Sequence, residues 1–256
     1  MAFDTVRTSK LLIDGDLILY RCSSATEHAI QWDDENWILH SNLQESKDLV
    51  AGAIADLRSH VEADTIIVCL SDTANFRKEV YPEYKSQRKE TRKPIVYPEL
   101  RKWVEETYQT FALPKLEADD VLGILATTPD AGDVIIASED KDLQTIPCKL
   151  WRQGGLKEVT EAAADYFWMM QTLTGDPTDG YKGCPGIGEK KAEAIIKPMM
   201  NLQTMWFNVC NAYQKAGLTV DDAIMNARLA RILRHGDYED GKVKLWEPQG
   251  AFANAA

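Results

Sequence analysis

Lys10-Leu11-Leu12-Ile13-Asp14-Gly15-Asp16 is the stretch that decides the fold class. A short apolar run stops on two acids set around a glycine, and Leu17 to Ser24 continue with a helical pattern. A buried strand that feeds a helix through a tight acidic turn is the opening unit of a parallel α/β sheet. The unit recurs. Thr65–Leu70 is a β-branched run that closes on Asp72, and Asp133–Ala137 (DVIIA) runs into Ser138-Glu139-Asp140-Lys141-Asp142. Continuous apolar strands of this kind are expected where helices cover both faces of the sheet. In open α/β sheets the C-terminal strand edge is where ligands bind, and here three strands deliver carboxylates to it.

The rest of the chain fits around these strands. Residues 46–62 repeat apolars at Val50, Ile54, Leu57 and Val61, and 98–111 and 117–127 also read as helices. Beyond about residue 160 the pattern is helical, over 161–174, 187–197, 201–216 and 220–235. The expected organisation is a sheet domain over 1–160 with a basic excursion at about 77–96. A helical region follows over 161–248, and a frayed tail over 249–256.

At 256 residues, 45% of them hydrophobic, the chain can bury a sizeable core. Its longest apolar run, Ile66-Ile67-Val68-Cys69-Leu70, is far short of a membrane span, and MAFDTVRTSK has no signal-peptide character. Five scattered cysteines (22, 69, 148, 184, 210) without a CxxC pair argue against a disulfide framework or a zinc site. The cytoplasm is the expected location. The net charge of −11 argues against a nucleic-acid partner, but its distribution argues for one. Residues 77–102 carry nine bases against four acids, a net +5 that leaves −16 on the remainder.

Five acidic clusters stand out: Asp14/Asp16, Asp72, Glu117/Asp119/Asp120, Asp140/Asp142 and Asp176/Asp179. A single acid after a strand is equally a helix cap, and Glu-Ala-Asp-Asp is equally a solvated first turn. Repetition after successive strands is what a metal site explains, because converging carboxylates repel and need cations. All-oxygen donors without histidine or cysteine point to magnesium or manganese, and two such ions suit phosphodiester cleavage.

Gly183-Cys184-Pro185-Gly186-Ile187-Gly188-Glu189-Lys190-Lys191-Ala192 is a hairpin, 183–192, opening a helix. Its main chain at Gly186 and Gly188, with Lys190 and Lys191, suits a phosphate backbone without sequence preference. Tyr81-Pro82-Glu83-Tyr84-Lys85-Ser86-Gln87-Arg88-Lys89 interleaves aromatics and bases, as a single-strand contact requires, although a charge run is also a solvated loop. Trp32, Trp37, Trp151, Trp168 and Trp246 read as packing residues, and the four histidines have no metal spacing.

In this order, the clusters, hairpin and basic segment resemble the 5′ nuclease superfamily of flap endonucleases and 5′→3′ exonucleases, over about residues 10 to 196. In size and detail the resemblance is strongest to the exonucleases of short-tailed, T-seven-like phages. It rests on Asp14-Gly15-Asp16, Tyr84-Lys85, Asp119-Asp120, Asp140-Lys141-Asp142 and Gly175-Asp176-x-x-Asp179-Gly180. The resemblance implies an α/β, PIN-like parallel-sheet nuclease domain with a C-terminal helix–three-turn–helix region that binds DNA. It implies two Mg2+ (or Mn2+) ions. Asp72, Glu117, Asp119 and Asp120 would hold one, Asp140, Asp142, Asp176 and Asp179 the other, with Asp14 between them. A potassium ion would sit on hairpin carbonyls. Catalysis would involve Asp14 and Asp140, with Lys85 and Arg88 on the scissile phosphate. Tyr84 would stack a base, and Arg21 and Lys89 would add DNA contacts. The implied substrates are duplex DNA with 5′ ends, flaps or RNA primers, attacked by a monomer in the host cytoplasm if the chain is phage-encoded. Lys85 and Glu117 stand only 32 positions apart, short for the family's helical arch, so a flexible flap is expected instead. Two other readings stay open. Ile13-Asp14-Gly15-Asp16 resembles the nucleophile motif of haloacid-dehalogenase-type phosphatases, and a non-catalytic DNA-binding module could use its acids only to shape the fold.

Overall fold

The computed structural model describes residues 9–87 and 92–248. The tail expected at 249–256 and part of the basic excursion, including Arg88 and Lys89, lie outside the described residues.

The sheet has the expected parallel centre. Strands β1 (Ser9–Asp14), β4 (Thr65–Cys69) and β6 (Asp133–Ala137) lie side by side, flanked by β5 (Thr110–Phe111) and by β7 (Cys148–Arg152) with β8 (Gly155–Val159). The spatial order is β5-β4-β1-β6-β7-β8, with only β7–β8 antiparallel. The alternation of side chains in the central strands shows why they read as unbroken apolar runs. Leu11, Ile13, Val68, Leu70, Ile135 and Ala137 face α1 (Gly15–Ala25), α2 (Leu43–Val61) and α4 (Tyr97–Thr107). Leu12, Cys69, Val134 and Ile136 face α5 (Ala118–Ala126) and the 3-10 turn Lys141–Thr145. Both faces are covered, so both sets must be apolar. Gly15 is required where α1 crosses β4: a Cβ there would lie 2.6 Å from the Cys69 carbonyl oxygen.

A second core joins α6 (Glu161–Thr174), α7 (Glu189–Ile195), α8 (Leu202–Lys215) and α9 (Val220–Ala230), with Trp168 and Trp206 fully buried in it. Trp246 packs edge-on against both. A short hairpin, β9 (Tyr238–Glu239) with β10 (Lys242–Val243), follows. Among the described residues no helix is long and apolar enough to cross a membrane.

Several boundaries differ from expectation for local reasons. The helix expected over 98–111 stops at Thr107 because Thr110–Phe111 pairs with β4. The helix expected over 220–235 stops at Ala230 because Arg231 is extended and the chain beyond it turns to serve Asp120. The excursion at 77–96 is not wholly exposed: its first residues form α3 (Arg77–Val80), and Arg77 and Tyr84 are 3% and 2% exposed. Another element, the hairpin of β2 (Glu27–Gln31) and β3 (Trp37–Ser41), carries Trp32 at 70% and Trp37 at 59% exposure. Those two tryptophans are not packing residues, because the hairpin stands clear of the sheet.

Candidate active site

At the C-terminal ends of β1, β4 and β6 lies a cleft of about 640 Å3. Asp14, Asp16, Glu117, Asp119, Asp140, Asp142, Asp176 and Asp179 line it together with Lys85. Seven of the nine expected metal ligands therefore meet in one place, joined by Asp16. Tyr20, Arg92, Lys93, Tyr97 and Lys141 complete the wall.

The first acid has two tasks. Asp14 Oδ1 accepts from the Leu17 N–H at 3.1 Å and so caps α1, while Oδ2 accepts from Ser138 Oγ at 2.7 Å. Ser138 Oγ in turn accepts from the Asp140 N–H at 3.0 Å, so one serine registers the ends of β1 and β6. Burial, with Asp16 and Asp140 nearby, pushes the Asp14 carboxyl up to about 6 against these two hydrogen bonds. Asp140 caps the 3-10 turn through the Asp142 N–H at 2.8 Å. Asp142 accepts from Gln171 Nε2 at 2.6 Å, and burial, then the charges of Asp140 and Asp176, raise it to about 7. Burial and the charges of Asp14 and Asp140 hold Asp119 well above the usual carboxylate range.

Glu117 behaves oppositely. Burial works against its charge, but Lys85 and Arg77 overcome that and hold it at about 2. Lys85 Nζ lies 2.6 Å from Glu117 Oε1 and 3.4 Å from Asp179 Oδ2. The lysine sits at φ +53° with its N–H donated to the Asp179 carbonyl, a left-handed conformation that only a fixed loop sustains. Asp176 forms an Asx turn with the Thr178 N–H at 2.7 Å, held where Gly175 and Gly183 pass back to back.

The remaining expected residues stand elsewhere. Asp72 accepts from the Thr73 and Lys115 N–H groups, both at 2.7 Å, and caps a loop outside the cleft. Asp120 is 0% exposed and lies beneath the cleft with its oxygens filled by Arg77 and the Glu117 and Leu233 N–H groups. Tyr84 cannot stack a base: it is buried, and its hydroxyl donates to Glu117 and Asp179 at 3.0 and 2.8 Å. Arg21 is exposed on a neighbouring groove of about 560 Å3 that shares Asp14 with the cleft. Gly186, Gly188, Lys190 and Lys191 are all exposed, and Lys191 Nζ donates to the Gly186 carbonyl at 2.8 Å. Glu139 accepts from the Gln153 N–H and serves the β7–β8 turn. Asp16 receives the Tyr97 hydroxyl and the Ser71 N–H, both at 3.3 Å. Ser138, Gln171, Tyr97 and Arg77 are partners that the sequence reading missed. Only Ser138 carried a signal, its place directly after a strand.

Among the described residues no three acids stand close enough to hold an ion as they are, and internal donors engage Asp14, Glu117 and Asp142. The chemistry of the set nevertheless fits hard divalent cations. Every donor is a carboxylate oxygen, and Asp14, Asp119 and Asp142 are raised first by burial and then by the charges of neighbouring acids, so a bound cation would favour their ionised forms.

Residues 9–164 match the family model described as "5'-3' exonuclease, N-terminal resolvase-like domain". The exodeoxyribonuclease of Enterobacteria phage T3 is 31% identical, over 93% of this chain and 93% of its own. The exonuclease of Escherichia phage T7 is 30% identical over the same shares. The flap endonuclease Xni of Shewanella putrefaciens is 27% identical over 86% of each chain. A crystal structure of the bacteriophage T5 D15 flap endonuclease, in a pseudo-enzyme-product complex with DNA and metal ions, superposes with a TM-score of 0.65. It is 19% identical, and the superposition covers 87% of this chain and 88% of that one.

Proposed function

This chain belongs to the 5'-3' exonuclease family, and from that premise we propose that it degrades duplex DNA from 5′ ends with divalent metal ions, and also removes flaps and RNA primers. It is a nuclease, and family membership removes the phosphatase reading. The observation that carries the proposal is the meeting of eight carboxylates from four chain segments around the half-buried Lys85. Because these acids and Lys85 all belong to one protomer, the reading calls for no residue from a second copy, and a monomer is the proposed acting unit.

In this reading Glu117 and Asp119 would hold one Mg2+ or Mn2+ ion. Asp140, Asp142, Asp176 and Asp179 would hold the second, and Asp14 would contribute to either. Bound ions would supply activation of water and stabilisation of the departing 3′ oxygen, which leaves products with 5′ phosphates. Ser138 keeps Asp14 and Asp140 in fixed register for this task. Lys85, the cation nearest the acids, engages the scissile phosphate, joined by Arg88. Arg92 and Lys93 on the cleft wall receive the 5′ strand, with Lys89 and Arg21 as further backbone contacts. The exposed main chain at Gly186 and Gly188, with Lys190 and Lys191, grips the duplex backbone. A potassium ion on the hairpin would compete with Lys191 for the Gly186 carbonyl. The unit over 161–248 is thus a DNA-gripping region appended to a nuclease domain over 1–160.

Asp140→Asn tests the assignment. Its Oδ1 can still accept from the Asp142 N–H, so the fold is kept while one negative charge is lost. Turnover should disappear and DNA binding, measured by gel shift, should persist. Cleavage at the wild-type rate would contradict the site.

A further inference from the structure

Arg77 lies beneath the cleft, with every one of its five N–H groups in use. Nη1 and Nη2 fork onto Asp120 at 2.7 Å each, and Nη1 also reaches Glu117 Oε2 at 3.3 Å. Nε donates to the Leu229 carbonyl at 3.2 Å and Nη2 to the Arg231 carbonyl at 2.6 Å, just where α9 ends. Asp120 closes the arrangement by accepting from the Leu233 N–H at 3.1 Å. Three distant parts of the chain therefore meet on one guanidinium: α3, the start of α5 and the segment after α9. The Phe76 ring lies 4.7 Å from its carbon, which shields the group further.

A buried ion pair is a poor device for stability alone, because desolvation offsets most of the attraction. A rigid planar fork is a good device for fixing direction. The direction fixed here is that of Glu117, whose second oxygen receives Arg77 while its first receives Lys85. We propose that Arg77 is a positioning residue: through this buried lock, closed by the main chain after α9, the helical region holds the Glu117 carboxylate in the wall of the cleft. The inference rests on the reading of Glu117 as a metal ligand given above.

Arg77→Lys keeps the charge and loses the fork. Mn2+ binding, followed by electron paramagnetic resonance with the metal alone as probe, should weaken about ten- to one-hundredfold, as expected when a residue orienting a ligand is lost. kcat should fall by a similar factor, while KM for duplex DNA stays within about twofold of wild type. In a Glu117→Gln background the effect of Arg77→Lys on Mn2+ affinity should vanish, because the two act as one unit. Should Arg77→Lys not fold, Asp120→Asn, which breaks the fork from the other side, is expected to weaken Mn2+ binding by the same factor. A folded variant with wild-type Mn2+ affinity and kcat, whatever its melting temperature, would overturn the proposal. If Glu117→Gln alone left Mn2+ affinity unchanged, the reading of Glu117 as a ligand would fall first, and with it the reason for the lock.

Discussion

Lowering the pH should stabilise this protein when metal is withheld, the reverse of ordinary acid denaturation. Asp14 is raised from 3.8 to about 6 and Asp142 from 3.8 to about 7, both chiefly by burial among other acids. A carboxyl with a folded pKa above its unfolded value binds its proton more tightly in the folded state. The stability it contributes is complete below the unfolded value and is lost as pH rises through the folded one. Between pH 8 and pH 5.5 the folded state therefore takes up protons that the unfolded chain does not. At 1.36 kcal/mol per unit, Asp14 contributes about 0.8 kcal/mol over that interval and Asp142 about 2 kcal/mol. Asp119, which burial and the charges of Asp14 and Asp140 also hold above the usual carboxylate range, acts in the same direction. Glu117, held low by Lys85 and Arg77, opposes the trend only below its ordinary range and leaves this window clear. The gain expected from Asp14 and Asp142 alone is about 3 kcal/mol, or roughly 6–12 °C in melting temperature for a chain of this size. Thermal melts in EDTA at pH 5.5, 6.5, 7.2 and 8 measure it directly. Saturating Mg2+ should remove the gain by favouring the ionised acids. A metal-free midpoint that is level or falls between pH 8 and pH 5.5 would refute the description of Asp14 and Asp142 as acids raised by burial among other acids.

Two substitutions away from the acids test how the site is held and fed. Gly183→Ala should destabilise by about 2–4 kcal/mol in urea unfolding, because φ is +64° and the new Cβ would lie 2.3 Å from the Gly175 N. Replacing Lys190 and Lys191 with alanine should weaken duplex binding alike for all sequences. It should also lower the slope of log affinity against log salt by about one per lysine, as fluorescence anisotropy across a salt series would show. An unchanged slope would remove the hairpin from the DNA interface.

The sheet was legible because its chemistry is one-dimensional. Leu11, Leu12 and Ile13 are all apolar since each meets a covered face, and the acids that follow mark the strand edge. The β2–β3 hairpin left no such trace, because a hairpin exposed on both sides has no buried face to impose alternation. Within the site, the acids that follow strands or open helices were found by position alone. Asp120 was misread because the residue that satisfies it, Arg77, is 43 positions away. Asp72 was misread because what it satisfies are backbone N–H groups, and these have no signature in sequence. Tyr84 shows the same limit. An aromatic among bases reads as a stacking platform, but its hydroxyl is drawn inward by Glu117 and Asp179, carboxylates 33 and 95 residues away.

The central claim is that the acid cleft uses divalent metal to remove nucleotides from a 5′ end. Digestion of a duplex labelled at one 5′ terminus, with Mg2+ and with EDTA, tests it most directly. Release of labelled nucleotide or short oligonucleotide with Mg2+, and none with EDTA, is the predicted result. Label retained under both conditions, or released equally in EDTA, would contradict the account.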